Sequence, residues 1–252
     1  MNISESFELG GGETVTFVGA GGKTSTMFRL ASEFSFFGLS IVTTTTKIFE
    51  WEGKKADFLL ISEDIEDLEN LISALSEGKI VTIASGKSKD EKLIGVEPEF
   101  ADEINAQISP DILVIEGDGA SKKSFKAPAD YEPVIPASSD LIVPIVGIDV
   151  VGETLNSENV HRPKKVCEIS HFEIGDTVTP EMIGQVVGHE KGGRKNVPSD
   201  ASLIPLLNKV DDESKEIAEE VAKKILSYTR QIDKVALGCI IRENPIIKII
   251  ER

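Results

Sequence analysis

Residues 15–25 read VTFVGAGGKTS, and this stretch decides the fold. A short apolar, β-favouring run enters a group of glycines, and Lys-Thr then opens a segment whose apolar residues recur at helical spacing. Glycine lets a backbone wrap closely around phosphate oxygens, while a helix N-terminus offers free N–H groups and a favourable dipole. The stretch therefore predicts a strand, a phosphate-binding turn at residues 19–25 (the glycine loop) and a helix.

Each residue of the glycine loop has an expected role. Lys23 should reach the β- and γ-phosphates of a nucleoside triphosphate, and the Thr24 hydroxyl should ligate Mg2+. The full pattern GxxxxGK[ST] requires glycine at position 17, where the chain has Phe17, so the match is to a shorter form. The alternative is a glycine-rich turn that binds no ligand. The expected nucleotide-binding residues here are Gly19, Ala20, Gly21, Gly22, Lys23, Thr24 and Ser25.

A second motif, ILVIEGDG at residues 112–119, carries the candidate acids. An apolar strand that ends in carboxylates is typical of a site that holds Mg2+ or its waters beside a phosphate loop. Alternation along the strand places Glu116 and Asp118 on one side, so they could divide metal contact and water orientation between them. Lys23, Glu116 and Asp118 are thus the candidate catalytic residues, and Thr24, Glu116 and Asp118 the candidate metal ligands. A plain acidic loop is the alternative.

A third motif, LNKVD at residues 207–211, follows another apolar run. It resembles the NKxD motif with which GTPases read guanine, so Asn208, Lys209 and Asp211 are candidate base-binding residues. Asp211 could equally cap the helix that follows. A threonine run at 43–46 could supply a switch residue near Mg2+, or it could simply be a hydroxyl-rich strand end. The basic, glycine-rich segment 188–195 could form a loop that covers phosphates, or it could be a solvated loop.

The organisation of the chain predicts an α/β fold. Strands are expected at 15–18, 39–43, 58–61, 79–84, 111–115, 141–146, 203–207 and 235–241, and helices at 24–37, 63–76, 180–187 and 214–228. Strands that alternate with helices indicate βαβ units and a mainly parallel sheet. We expect a three-layer αβα sandwich of the phosphate-loop NTPase type, as a single domain over 1–252. Residues 152–198 are expected to form a loop-rich excursion with one helix.

Composition limits the classes of function. The net charge of −16 argues against nonspecific nucleic-acid binding, because phosphate backbones attract clustered lysine and arginine. Two distant cysteines suggest neither a disulfide framework nor a zinc site. No basic, apolar leader and no long apolar run is present, so a cytoplasmic protein without a membrane partner is expected.

Several motifs, in order along the chain, together resemble the selenium-dependent hydroxylase accessory family (YqeC-like). They are GAGGKTS at 19–25, TTTTK at 43–47, VIEGDGA at 114–120, KAPADYEPVIP at 126–136, VHRP at 160–163 and LNKVD at 207–211. The resemblance implies a phosphate-loop NTPase fold and a part in maturing selenium-dependent molybdenum hydroxylases, with a client hydroxylase or cofactor-handling protein as partner. Lys126, Glu132 and Arg162 fall within the shared motifs and are candidate substrate-side residues.

The function predicted from the sequence is Mg2+-dependent binding and slow hydrolysis of a nucleoside triphosphate, with GTP favoured over ATP. Two alternatives stay open at this point. One is an ATP-dependent ligase or kinase, because GxxGKT followed by a strand ending in glutamate resembles Mur-type ligases. The other is a nucleotide-gated binding protein without significant turnover.

Overall fold

The structure is a computed structural model that describes residues 1–36, 38–74 and 78–252. The strands are β1 Glu13–Gly19, β2 Ser40–Thr44, β3 Lys47–Phe49, β4 Phe58–Ile61, β5 Ile80–Ala84, β6 Gly86–Lys87, β7 Lys92–Ile94, β8 Ile112–Glu116, β9 Phe125–Lys126, β10 Leu141–Gly147, β11 Val160–His161, β12 Ser202–Leu203, β13 Leu206–Asn208, β14 Lys234–Gly238 and β15 Ile246–Glu251. The helices are α1 Ile3–Ser6, α2 Lys23–Phe34, α3 Glu50–Gly53, α4 Ile65–Ser73, α5 Pro98–Glu103, α6 Pro163–Ile169, α7 Pro180–Gly188 and α8 Lys215–Tyr228. A π-helical turn, Ile104–Ile108, continues α5, and a 3-10 turn, Ile148–Val150, follows β10.

One large sheet forms the centre of the molecule. Its strand order is β15-β14-β13-β10-β1-β8-β2-β5-β4, with the short β12 paired to β10. Every pairing in it is parallel except that of β14 with β15. The predicted α/β fold with a mainly parallel sheet is therefore confirmed.

Helices cover both faces of this sheet. On one face, α1 and α2 pack over the central strands, because α2 presents Met27, Leu30, Ala31 and Phe34 along a single stripe. The other face is covered by α4 and α5 at one end and by α6, α7 and α8 at the other. Strand β8 contributes alternate residues to the two sides and is buried throughout, as its apolar sequence predicts.

The neighbours of β1 explain where a site can form. β1 lies between β8 and β10, although the chain reaches β2 before either of them. Phe17 of β1 is in register with Glu116 of β8, which is also in register with Thr44 of β2. The carboxyl ends of β1, β8 and β2 therefore meet at one edge, beside a reversal of strand order, where parallel sheets bind ligands.

A small second sheet extends beyond this edge. Its order is β3-β7-β6, with antiparallel pairing throughout. β3 and β6 follow directly on β2 and β5 of the large sheet. The N–H groups of Gly95 and Val96 bind the carbonyls of Thr46 and Thr44, so the hairpin of β6 and β7 is held against the end of β2. The sequence analysis did not predict this sheet.

Several element boundaries differ from those predicted. The expected strand 203–207 is divided into β12 and β13 around Pro205, which has no N–H group to donate to a ladder. The strand expected at 235–241 ends at Gly238, and Ile241 is 90% exposed. The antiparallel β15 was not predicted. Residue 37 of the helix expected at 24–37, and residues 75–76 of the one expected at 63–76, lie outside the described residues.

The segment 152–198 is more structured than expected. The prediction of a single helix there was wrong, because both α6 and α7 form. Met182, Ile183, Val186 and Val187 of α7 are buried in the same core as α8, so this segment belongs to one helical layer. No helix in the described part of the chain has the length and apolar character needed to cross a membrane.

Candidate functional site

The glycine loop has a backbone that other residues could not adopt. Gly19, Gly21 and Gly22 have φ angles of 86°, 100° and 122°, which L-residues rarely take. At Gly21 a side chain is also excluded by packing, because an added Cβ would lie 2.2 Å from the backbone nitrogen of Gly147. The glycines thus bring the loop against the end of β10.

The loop presents N–H groups that bind nothing in the protein. The Ala20 N–H donates to the Ile145 carbonyl, and the Gly19 N–H to Asp118. Among the described residues, no acceptor takes the N–H groups of residues 21–25. The first residues of a helix leave such donors unpaired unless a side chain caps them, and Gly22 at the N-cap has no side chain to do so. Residues 21–25, which line a large cavity, therefore carry five N–H donors that are unpaired within the described part of the chain.

Lys23 lies at the centre of the site and is only 4% exposed. Its ammonium nitrogen donates to the Gly19 carbonyl at 2.7 Å and lies 3.3 Å from Asp118 Oδ1 and 3.7 Å from Glu116 Oε1. Burial opposes the charge on Lys23, but the carboxylates of Asp118 and Glu116 outweigh it and raise the pKa of the lysine. The side chain is therefore a firmly charged cation.

Glu116 lies beside both Lys23 and Thr24, the first two residues of α2. The Thr24 hydroxyl donates to Glu116 Oε2 at 2.9 Å, so two of the three candidate metal ligands are adjacent. Burial raises the pKa of Glu116, and the charge of Lys23 and the hydrogen bond from Thr24 offset this only in part. Glu116 also lines the large cavity described below.

Asp118 occupies a different position from Glu116. Its oxygens accept the Gly19 N–H at 3.0 and 3.1 Å, and Oδ2 lies 2.9 Å from the ammonium nitrogen of Lys126. It is 2% exposed and lies behind the glycine loop, outside the lining of the large cavity. Asp118 thus holds the loop, whereas Glu116 lines the large cavity.

A chain of buried charges continues from Asp118 into the segment 152–198. Lys126 donates to Glu132 Oε2 at 2.7 Å and to the Gly119 carbonyl at 2.6 Å. Glu132 in turn accepts Arg162 Nη2 at 2.9 Å. The parallel pairing of β9 with β11 brings these residues together. The resemblance had singled out Lys126, Glu132 and Arg162 on the substrate side, and the structure makes them a buried ionic network behind the loop.

The third motif divides between two surroundings. Asn208 donates to the Gly21 carbonyl at 2.8 Å and accepts the Ile240 N–H at 3.1 Å, so it ties the glycine loop to the end of β14. Lys209 lines the cavity and pairs with Asp149 at 2.7 Å. Asp211 is exposed and accepts both the N–H and the hydroxyl of Ser214 in the turn before α8; Ser214, and not Asp211, is the N-cap residue of that helix. No base-reading contact is built around Asp211.

The weaker candidates have structural roles. The hydroxyls of Thr43 and Thr44 donate to the carbonyls of Ile83 and Glu116, which uses them within the sheet. In the segment 188–195, Arg194 donates to the Gly188 carbonyl. Neither the threonines at 43–46 nor the segment 188–195 contributes to the cavity lining. In the described residues no group of three or more His, Cys, Asp or Glu side chains could hold a metal by itself, and both cysteines are unpaired.

A cavity of about 670 Å³ opens in front of the loop. This volume suits a ligand of nucleotide size. Its lining combines the loop and Glu116 with a group of lysines and aromatic residues, and it consists of Gly21, Gly22, Lys23, Thr24, Ser25, Lys47, Ile48, Phe49, Trp51, Glu52, Lys55, Lys92, Glu116, Gly119, Ala120, Ser121, Lys122, Lys123 and Lys209. The loop, Glu116 and Lys209 were predicted from motifs in the sequence, whereas the other lysines of the lining carry no motif and were not predicted to form part of the site.

Comparison with known proteins identifies the family of the chain. The sequence model of the family described as YqeC protein matches residues 15–164, which is more than half of the chain. The chain belongs to the YqeC family. It is 29% identical over 234 residues to the "Uncharacterized protein YqeC" of Escherichia coli (strain K12), an alignment that covers 92% of this chain and 89% of that protein. No solved structure matches the chain significantly.

The YqeC region contains nearly all of the site just described. Residues 15–164 include the glycine loop, Glu116 and Asp118, and the charge network through Arg162. The motif Asn208-Lys209-Val210-Asp211 lies outside this region. The loop, the acids and the network therefore form one unit within the part of the chain that matches the family.

The charge network makes the stability of the fold depend on pH. Although burial opposes ionisation, hydrogen bonds and charge from Arg162 and Lys126 lower the pKa of Glu132 from 4.5 to about 2. A carboxyl whose pKa is lower in the folded state stabilises that state above pH 4.5, and this contribution is lost as the pH falls toward 2. We expect the difference in free energy of unfolding between wild type and Glu132→Gln to shrink over that range.

Urea denaturation at a series of pH values measures this difference. Glu168→Gln is the matched control, since Glu168 makes an exposed pair with Lys165 and should show little pH-dependent difference from wild type. If the difference in free energy of unfolding between wild type and Glu132→Gln stays constant from pH 6 to pH 2, ionisation of Glu132 does not contribute to the pH dependence of stability.

Proposed function

We propose that this YqeC-family protein binds a nucleoside triphosphate with Mg2+ at the glycine loop and hydrolyses it slowly. The observation that carries the proposal is the convergence at one point of unpaired N–H groups from residues 21–25, the Lys23 ammonium, the Thr24 hydroxyl and the Glu116 carboxylate. Donors, a cation and a hydroxyl–carboxylate pair are the groups that a metal-bound triphosphate requires.

The protein groups divide the work as follows. The loop N–H groups and the start of α2 would bind the phosphate oxygens, and Lys23 would exchange the Gly19 carbonyl for a phosphate oxygen. Thr24 and Glu116 fit Mg2+, because this ion is commonly held by one or two protein oxygens together with substrate phosphates. Bound there, Mg2+ would neutralise part of the phosphate charge.

Base recognition would involve the β13 side of the glycine loop. Asn208 and Lys209 lie at the β13 side of the loop, where a base could extend, and Lys209 lines the cavity. The carboxylate of Asp211, which would read guanine, is bonded to Ser214 instead. A preference for GTP over ATP therefore rests on the sequence motif. The accessory role in hydroxylase maturation and the client partner likewise rest on what the family resemblance implies.

Isothermal titration with GTP and ATP, each with and without Mg2+, tests the function. We expect micromolar or tighter binding of GTP, weaker binding of ATP, and a gain in affinity on adding Mg2+. Equal affinities would rule out guanine recognition by Asp211 and leave it as a residue of the turn before α8. Absence of binding by both nucleotides in the folded protein would end the proposal.

The two acids should respond differently to neutralisation. Glu116→Gln should remove most of the gain in affinity that Mg2+ provides, because Glu116 is the carboxylate beside Thr24 at the cavity. Asp118→Asn should weaken binding with and without Mg2+ alike, since Asp118 holds the loop through the Gly19 N–H. The ratio of affinities with and without Mg2+, measured for each variant, separates these roles. A metal-specific loss in Asp118→Asn alone would reverse the assignment.

A further inference from the structure

One wall of the cavity has a chemistry that a triphosphate does not account for. This basic wall consists of Lys47, Phe49, Trp51, Lys55, Lys92 and Lys122. Its residues come from β3 and β7 of the small sheet, from α3 and the turn after it, and from the loop after β8. The whole cavity is lined by seven lysines and two glutamates, although the chain carries 43 acidic and 27 basic residues. Positive charge is thus concentrated at this site in an acidic protein.

The lysines of the basic wall have no carboxylate partners within the described residues. Three of them lie against aromatic rings instead: Lys55 is 5.1 Å from the Trp51 ring centre, and Lys92 and Lys122 are 5.0 and 5.1 Å from that of Phe49. Nearby lysines outside the cavity are paired, since Lys54 and Lys87 share Glu50 at 2.7 and 2.8 Å. Unpaired cations grouped beside flat rings form a surface suited to an anion.

The basic wall lies on the side of the glycine loop opposite Asn208 and Lys209. Asn208 and Lys209 follow β13, on one side of β1, whereas Thr24 bonds to Glu116 at the end of β8, on the other side. Lys47, Phe49 and Trp51 of the wall follow β2, which lies beyond β8 in the sheet. The charge of neighbouring Glu52 adds to burial and Asp118 in raising the pKa of Glu116. A triphosphate whose base extends toward β13 would therefore direct its terminal phosphate toward the wall.

We propose that the basic wall binds a second substrate, a small organic anion with a flat ring, beside the terminal phosphate of the nucleotide. This inference rests on the proposed function and names the substrate class of the same cavity. Phosphate or carboxylate groups of the ligand would contact Lys47 and Lys92, and its ring would stack near Phe49 and Trp51. The triphosphate itself is already served by the loop donors, Lys23 and Mg2+. The second ligand would occupy the position of an acceptor.

Trp51 gives a direct reporter, because it is the chain's one tryptophan and lines the wall. The probe is phenyl phosphate, titrated into protein saturated with a nonhydrolysable GTP analogue and Mg2+, and separately into nucleotide-free protein. Trp51 fluorescence and calorimetry are the readouts. We expect saturable binding in both states, weaker binding of inorganic phosphate, and none of phenol.

The variants locate the probe. Lys47→Ala/Lys92→Ala should lower the affinity for phenyl phosphate by roughly tenfold or more, with nucleotide affinity changed far less. Lys55→Ala is a second variant on the same wall. Lys89→Ala, in the exposed turn between β6 and β7 and outside the lining, is the matched control and should leave phenyl phosphate affinity unchanged.

The outcomes separate the two proposals. Competition between phenyl phosphate and the nucleotide, or no saturable probe binding, would overturn the second site while leaving nucleotide binding intact. Lysine-dependent probe binding in a protein that binds no nucleotide would overturn the proposed function and keep the anion site. Equal affinities for phenyl phosphate in the wall variants and in Lys89→Ala would also reject the wall.

Discussion

Lys23→Ala is expected to lower the affinity for Mg2+-bound GTP by about 100-fold or more. The change removes a charge-assisted hydrogen bond to phosphate and leaves Glu116 without its nearby cation, while Asp118 keeps only Lys126. The measurement is calorimetric titration of the folded variant, with folding checked by circular dichroism and thermal unfolding.

Lys89→Ala is the reference for this experiment, because it deletes an exposed lysine without touching the cavity lining. Its affinity for GTP should equal that of the wild type. A folded Lys23→Ala protein with undiminished affinity would show that the glycine loop is a turn without a phosphate-binding role.

Lys126→Ala is expected to have the largest effect on stability, a loss of about 3–5 kcal/mol in the free energy of unfolding. Lys126 is buried between two carboxylates, 2.9 Å from Asp118 and 2.7 Å from Glu132. Without the lysine, Asp118 has lost one counter-charge and Glu132 depends on Arg162 alone. Removing one member of a buried ionic group costs far more than removing an exposed pair.

Urea denaturation at neutral pH compares this variant with Lys165→Ala. Lys165 is a surface lysine of the same region that pairs with Asp130 and Glu168 at 2.9 Å, and its removal should cost at most about 1 kcal/mol. Similar losses for the two variants would mean that the buried network contributes no more than ordinary surface charge.

The centre of the site was predictable because its signals are local in the sequence. Strand, glycines and the Lys23-Thr24 pair lie within a dozen residues, and Glu116 ends an apolar strand. Parallel sheets bring such strand ends to one edge, so the meeting of Thr24 with Glu116 followed from topology. The same reasoning could not separate Glu116 from Asp118. Alternation gives the two acids one side, whereas the partners Gly19 and Lys126 decide their functions.

The remaining features depend on contacts between distant segments. The network joins Lys126 to Arg162 through the pairing of β9 with β11, strands of two residues each that carry no periodic signal. The basic wall takes its lysines from three separate stretches, around residues 47–55, 92 and 122. From the sequence Asp211 could read guanine or cap the next helix, but the N-cap of α8 is Ser214, and Asp211 accepts its N–H and hydroxyl in the turn before the helix.

The two lysines on Asp118 bear on how readily the loop can be filled. Lys23 lies 3.3 Å from this carboxylate, and Lys126 lies 2.9 Å from it on β9, outside the lining of the large cavity. If Lys23 turns toward a phosphate, Asp118 keeps one cation. Its buried carboxylate therefore stays paired in an environment from which water is excluded. Lys126 thus serves as a second counter-ion of Asp118. Because it remains in place, Lys23 is able to move away from Asp118 without leaving that carboxylate unpaired.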